Sequence, residues 1–326
     1  MIHDVVVAGA GPAGATAAYF LARGGKRVAL LEKATFPRDK RCGDAWCEPA
    51  LEILEEMGVL RELEAEGLVQ WVRAGGLVSP SGLSFTSPDE GIRPSAPRVA
   101  AIKRMVCDER IARAARRVGA ELIEGAAVRE ATLDGSLWNV RCKDGRRFQG
   151  RCLIAADGAK SKIARALGLV TTGANSVASR QYIKGGTHDF TSDGVLLYPP
   201  YALPGYVAFF RHSNGDIDLG CYLLPGGRVP PTQLKSLLQN EVSRDPYVRE
   251  VLGDHAEPLE RPGLSPLRLG GESRTHAERV LVVGDAAGQT DPLTGEGIHT
   301  AMVAAKIGAR VLHEAFEEGD LSEARL

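Results

Sequence analysis

The chain has 326 residues, with 40 basic and 41 acidic side chains and a formal net charge of −1. That length buries a sizeable core as one large or two smaller domains, and the charge balance gives no reason to expect a nucleic-acid partner. Six cysteines without paired metal-ligand spacing fit a reducing cytosol, and no apolar run approaches the ~20 residues of a membrane span. The first residues already read as strand, which leaves no room for a signal peptide, so a cytoplasmic location without a transmembrane segment is expected.

The run Val5 to Ala8 reads as a strand buried on both faces. Gly9, Gly11 and Gly14 follow in G-x-G-x-x-G spacing, with Pro12 and Ala13 between them and an Ala-rich helix pattern after them. Such glycines serve a tight turn, close approach to a pyrophosphate and close helix–strand packing, and the helix N-terminus favours anions. A second strand, Arg27 to Leu31, ends at Glu32, an acid at the distance expected for gripping a ribose 2′-OH; Lys33 follows. An acid there disfavours a 2′-phosphate. The site therefore takes FAD or NAD, and the glycines do not choose between them.

Phe36 to Asp44 is a charged loop holding Arg41, Cys42 and Gly43. Pro49 opens a helix with Leu51, Leu54, Met57 and Leu60 at near-helical spacing and Gly58 close to its end. Gly75 to Pro97 carries short apolar stretches that suggest strands of a second, antiparallel unit. Arg104 to Arg117 is helical, Ala120 to Gly125 is a short strand, and Asp144-Gly145 marks a hairpin between Trp138–Cys142 and Arg147–Ala155. The latter strand runs into Asp157-Gly158, a second strand–turn–helix unit. Val177 to Leu224 alternates as an antiparallel sheet, and Gln233 to Leu252 reads as one amphipathic helix. Arg279 to Val283 is a buried strand entering Gly284-Asp285, and Pro292, Gly295, Gly297 and Ile298 open a last, small-residue helix whose N–H groups suit negative charge on a ligand. His188, His212 and His299 are isolated in sequence and are expected in exposed or structural roles.

The three glycine and acid segments resemble the FAD-binding motifs of the p-hydroxybenzoate hydroxylase-like flavoproteins, from the first strand to about Leu312. Within that group, Phe36 to Asp44 and Asp291 to Ile298 look most like the geranylgeranyl reductase family. The resemblance implies an α/β fold: a Rossmann-like FAD-binding domain (1–75, 98–172 and 275–326) with an inserted, mainly antiparallel β-sheet substrate domain (76–97 and 173–274). It implies hydrogenation of isoprenoid C=C bonds by hydride from reduced flavin, with NAD(P)H or a protein electron carrier as transient reductant. The alternatives are an FAD-dependent aromatic monooxygenase and, in another class, a redox-inactive FAD-binding homologue; a W-x-W-x-I-P segment expected of a halogenase is absent.

Carried over by position, Gly9, Gly11, Pro12, Ala13, Gly14, Glu32 and Lys33 would hold the ADP half of FAD. Arg104 would lie near it, Asp157 and Gly158 near the ribityl and pyrophosphate region, and Gly284 and Asp285 at the ribityl chain. Pro292, Gly295, Gly297 and Ile298 would line the isoalloxazine, with Arg41, Cys42 and Gly43 on its other side. Cys42 is the candidate catalytic residue, as proton donor, and Tyr206 and Phe209 are candidates to line an apolar substrate tunnel. An apolar isoprenoid substrate further implies peripheral association with a membrane surface. The chain departs from the family where Pro204 to Arg211 lacks a Trp and ends in Arg211 for the usual Pro, and where Lys160 replaces an Arg. It also stops soon after the last motif helix, where relatives continue with more helices.

Overall fold

A computed structural model describes residues 1–86, 98–184 and 193–326. His188 and the latter part of the 76–97 insertion lie outside the described residues. Val5, Val6, Val7 and Ala8 are fully buried, because the strand Ile2–Ala8 lies inside a sheet covered on both faces. It pairs in parallel with Val28–Leu31 and Arg147–Ala155, so that Val7 lies opposite both Leu30 and Ile154. Glu121–Ile123 and Val280–Val282 extend the parallel order outward on either side. All three strand–turn–helix units therefore open at one edge of the sheet, where parallel α/β sheets bind their ligands.

The helices Pro12–Arg23, Arg104–Arg117 and Ile298–Glu318 cover one face. Their small buried residues, such as Ala15, Ala18, Ala305 and Ala309, let helix and sheet approach closely. The other face is covered by the hairpin Val128–Asp134/Leu137–Cys142 and the short helix Lys162–Ala166. The expected Asp144-Gly145 turn closes the pairing of Leu137–Cys142 with Arg147–Ala155, with Gly145 at φ +92°.

The second sheet runs in the order Glu257–Pro258, Ser176–Lys184, Ile217–Leu223, Tyr206–Arg211, Gly194–Leu197, Gly75–Val78 and Ser84–Thr86, with Gly263–Leu267 also paired to Ser176–Lys184. Its pairs are antiparallel except Gly194–Leu197 with Gly75–Val78. Val207 and Phe209 point from one face into a core with Leu234, Leu237 and Val248, so Tyr206 and Ala208 take the opposite face. Helix is broken where one run was expected from Gln233 to Leu252: it forms Leu234–Asn240 and Pro246–Leu252. Pro246 has no N–H to continue the ladder, and Asp245 instead caps the second piece by accepting from the Tyr247 and Val248 N–H groups at 2.9 and 3.3 Å. The helix opened near Pro49 likewise divides into Glu48–Glu56 and Val59–Ala65, with Gly58 between them at φ +74°.

A small third sheet, in the order Ala45–Cys47, Val99–Ala101, Gln70–Trp71, anchors the end of the charged loop. Trp46 is fully buried there and donates its indole N–H to the Ile102 carbonyl at 2.9 Å. Among the described residues, no helix is long and apolar enough to cross a membrane.

Candidate functional site

The converging strand ends and the charged loop enclose a cavity of about 540 Å3. Its glycines differ in what fixes them. Gly9 adopts φ +104°, and a Cβ there would meet the Ala156 carbonyl oxygen at 2.3 Å; a Cβ on Gly14 would meet the Gly9 carbonyl oxygen at 1.9 Å. Both positions are closed by backbone. At Gly11 the nearest atom to an added Cβ is Arg38 Nη2 at 3.9 Å, so that side of the turn opens into the cavity. No side chain caps the helix Pro12–Arg23, which leaves its first N–H groups for a ligand.

Glu32 is buried at the end of the second strand, where its carboxylate accepts the Ala10 and Ala34 N–H groups, each at 3.1 Å. A carboxylate has lone pairs for further hydroxyl donors. Lys33, Lys143, Lys160 and Lys162 also line the cavity. Asp157 accepts the Lys162 N–H at 3.0 Å through one oxygen, while its buried Oδ1 has no protein partner. An orphaned acceptor on the cavity wall, a glycine turn open toward it and a cationic rim fit a dinucleotide with ribose or ribityl hydroxyls.

The loop between the second strand and Ala45–Cys47 is held by charge. Arg38 donates to Asp108 at 2.6 Å and to the Ala10 carbonyl at 3.3 Å. Arg104 clasps the same Asp108 with two bonds, at 2.8 and 3.0 Å. Burial alone would raise the Asp108 carboxyl; the two guanidiniums outweigh it and hold it below the ordinary aspartate value. Lys40 reaches Asp285 at 2.8 Å, and this ammonium likewise overcomes burial to keep Asp285 ionised. Cys42 is half-buried on the cavity wall among these groups. Arg41 borders the cavity, but its guanidinium is turned to Glu260 and the Arg261 carbonyl, beneath Gly263.

Asp44, next along the loop, joins this region to the second sheet. It accepts the Arg104 N–H at 3.0 Å and the Tyr182 hydroxyl at 2.5 Å, and its own N–H donates to Asp218 at 3.0 Å. Burial, then the neighbouring Asp44 carboxylate, push Asp218 well above the ordinary value, which favours its neutral form. His212, expected in an exposed or structural role, is buried, with Nε2 3.0 Å from Asp44 although out of line for a hydrogen bond.

On the opposite wall Asp291 caps a turn by accepting the Leu293 and Thr294 N–H groups at 2.9 and 2.7 Å. This brings Gly295, Gly297 and Ile298 to the cavity, whereas Pro292 lies outside its lining. Tyr206 donates to the Thr294 carbonyl at 2.5 Å, and Gly295 is seated against the Tyr222 ring, which an added Cβ would meet at 2.8 Å. Tyr198, Tyr206 and Tyr222 form an aromatic row with centroids 6.0 and 5.2 Å apart. Phe209 does not join it. Its odd position puts it on the far face of the strand, in the core with Leu234, which corrects its pairing with Tyr206 as a tunnel residue. Of the expected site residues, Gly9, Gly11, Pro12, Ala13, Glu32, Lys33, Arg41, Cys42, Arg104, Asp157, Gly158, Gly284, Asp285, Gly295, Gly297 and Ile298 line the one cavity. Arg38, Lys40 and Asp108 went unrecognised in the sequence, because nothing local distinguishes them from solvated charges. So did Tyr222.

A parallel sheet opening onto such a cavity, with an antiparallel sheet set against it, defines an FAD-dependent oxidoreductase of the p-hydroxybenzoate hydroxylase fold type. Residues 3–193 match the family described as FAD binding domain. The whole chain aligns at 43% identity with a Dictyostelium discoideum protein named conditioned medium factor receptor 1, spanning 66% of that protein. At 33% identity, 95% of the chain aligns with 76% of the menaquinone reductase of Mycobacterium tuberculosis. A solved structure from Thermoplasma acidophilum, described as geranylgeranyl bacteriochlorophyll reductase-like, superposes with a TM-score of 0.81 over 99% of this chain and 81% of that one, at 22% identity. The chain belongs to the geranylgeranyl reductase family of FAD-dependent oxidoreductases.

Proposed function

We propose that this protein hydrogenates a C=C bond of an isoprenoid chain, on a prenyl lipid, a quinone or a pigment. The observation that carries the reading is the meeting of the turn at Asp291–Gly297 with the tyrosine face of the second sheet, beside the cavity. An aromatic face there suits an apolar chain laid along it. The mycobacterial relative's name supports the substrate class.

In this reading Gly9, Gly11, Pro12, Ala13 and Gly14 present the helix N-terminus to the pyrophosphate, with Arg38 and Arg104 close by. Glu32 and Lys33 would hold the adenosine ribose, and Asp157, Gly158, Gly284 and Asp285 would take the ribityl hydroxyls. Lys40 donates to Asp285 in the structure, so its ammonium would share that carboxylate with the ribityl chain. Gly295, Gly297 and Ile298 would flank the ring from one side and Cys42 from the other. FAD supplies the hydride chemistry when bound. The protein's part is to orient the alkene against the ring and to place a proton at the second carbon, and Cys42 Sγ is the group we assign to that proton.

The substrate would be drawn from a membrane surface. The hairpin Gly75–Val78/Ser84–Thr86 supports this by exposing Leu83 and Phe85, at 75% and 63%. The test is anaerobic: the FAD-loaded protein is reduced, then menaquinone or a geranylgeranyl lipid is added in vesicles. Flavin reoxidation with a product that has gained two hydrogens supports the reading, and Cys42→Ser should slow that step. Absence of reoxidation by any prenyl compound, with hydroxylated product appearing when oxygen and an aromatic substrate are supplied, would replace it with a monooxygenase. Running the reduction with NADH, NADPH and a reduced carrier protein in turn identifies the donor.

A further inference from the structure

Two clusters of metal-ligating side chains occur among the described residues. The first, Asp44, His212 and Asp218, is fully enclosed, but its ligand atoms are already used: Asp44 accepts from Tyr182 and the Arg104 N–H, and the Arg180 guanidinium lies 3.9 Å away. A buried cation there opposes a second one. The other cluster, Cys47, Glu296 and His299, is built differently.

Cys47 ends the strand Ala45–Cys47 and is the N-cap residue of the helix Glu48–Glu56. Glu296 stands between Gly295 and Gly297, and His299 is the second residue of the helix Ile298–Glu318. Two segments distant in sequence thus bring one sulfur, one oxygen and one nitrogen within 4.8 Å of one another. The His299 Nδ1 to Glu296 Oε2 distance is 3.3 Å. Tetrahedral coordination with Zn–N and Zn–O bonds of ~2.0–2.1 Å and a Zn–S bond of ~2.3 Å requires ligand–ligand edges of roughly 3.3–3.6 Å. One edge is already met, and the other two lie within 4.8 Å. No lysine or arginine forms an ion pair with any of the three among the described residues. The side chains of Glu296 and His299 remain 41% and 24% exposed, which gives an ion an entry path and leaves a fourth position for water.

We propose that Cys47, Glu296 and His299 form a binding site for one divalent transition-metal ion of the zinc class. The mixed S, N, O set favours such an ion over magnesium or calcium, which take oxygen ligands. Binding displaces the Cys47 thiol proton into solvent as the metal–sulfur bond forms. The site is independent of the isoprenoid reading: Glu296 belongs to the turn bordering the cavity, but Cys47 and His299 are outside its lining.

The experiment uses the full chain, FAD-loaded and without an affinity tag. Zinc is titrated by equilibrium dialysis with elemental analysis, and cobalt is used as a spectroscopic probe. One zinc per chain is expected, and cobalt should show tetrahedral d–d bands together with thiolate-to-cobalt charge transfer. Cys47→Ser should abolish the charge-transfer band. His299→Ala, at a half-buried position that does not threaten folding, should weaken affinity by more than the ~10–100-fold that loss of an outer-shell partner costs. Cys42→Ser should leave binding unchanged. No stoichiometric binding, or binding indifferent to Cys47→Ser and His299→Ala, or binding lost with Cys42→Ser, overturns the proposal, whether or not the protein reduces isoprenoids.

Discussion

The glycine turn at 9–14 and the charged loop at 36–44 face the same cavity, yet opposite forces shape them. The turn is fixed by backbone crowding within a few residues and one neighbouring strand: the Gly9 and Ala156 carbonyls occupy the space of any side chain at 14 and 9. The loop is fixed by ion pairs to partners far along the chain, Arg38 to Asp108 and Lys40 to Asp285. A steric device tolerates no added atom, whereas an electrostatic one depends on which charge is paired and how deeply it is buried.

That contrast can be broken most forcefully at Gly14. Gly14→Ala sets a methyl 1.9 Å from a backbone oxygen that cannot rotate away, so the expected outcome is loss of soluble folded protein, read by circular dichroism. Next comes Asp108→Asn, which strips the counter-charge from buried Arg104 and largely buried Arg38 and should cost about 3–5 kcal/mol in urea unfolding. Because the folded Asp108 carboxyl lies below its ordinary value of 3.8, its stabilisation is present above that pH and disappears as pH falls through the folded value; unfolding midpoints measured through this range should drop, and the Asn variant should lack that share of the drop.

Gly11→Ala sharpens the comparison within the turn itself. Its Cβ points at open cavity, so the fold should survive while FAD affinity, followed by flavin fluorescence quenching, falls at least about tenfold, or ~1.4 kcal/mol. Equal loss of stability at Gly11 and Gly14 would refute the distinction. The smallest effect is expected from Asp218→Asn. Burial and then Asp44 raise the Asp218 carboxyl and favour its neutral form, so an amide that can still accept the Asp44 N–H should change stability at pH 7 by less than about 1 kcal/mol. The wild-type contribution is present at low pH and is lost as pH rises through the raised value, the reverse of Asp108. The same Asp→Asn change at the two sites therefore separates a carboxyl whose folded value is lowered by paired guanidiniums from one raised by burial.

The sequence by itself determined the parallel sheet, the glycine turn and the Asp157 and Asp285 segments, because each depends on local sterics and on the period of apolar residues. Gly9, Gly14 and the buried run at Val5–Ala8 sit where those rules put them. The alternation of Tyr206 to Arg211 was also legible as strand. Its faces were not, since only the helices packed over Val207 and Phe209 decide which side is core. Only the tertiary structure decided the partners of charged side chains: that Arg41 turns to Glu260 while Lys40 and Arg38 face the cavity, and that His212, isolated in the chain, lies buried beside Asp44. It also assembled Cys47, Glu296 and His299 from positions some 250 residues apart. The physical reason is range. Backbone sterics and side-chain periodicity act over a few residues and leave a trace in the sequence, whereas Coulombic pairing acts through space and is specified only once distant segments have been folded together.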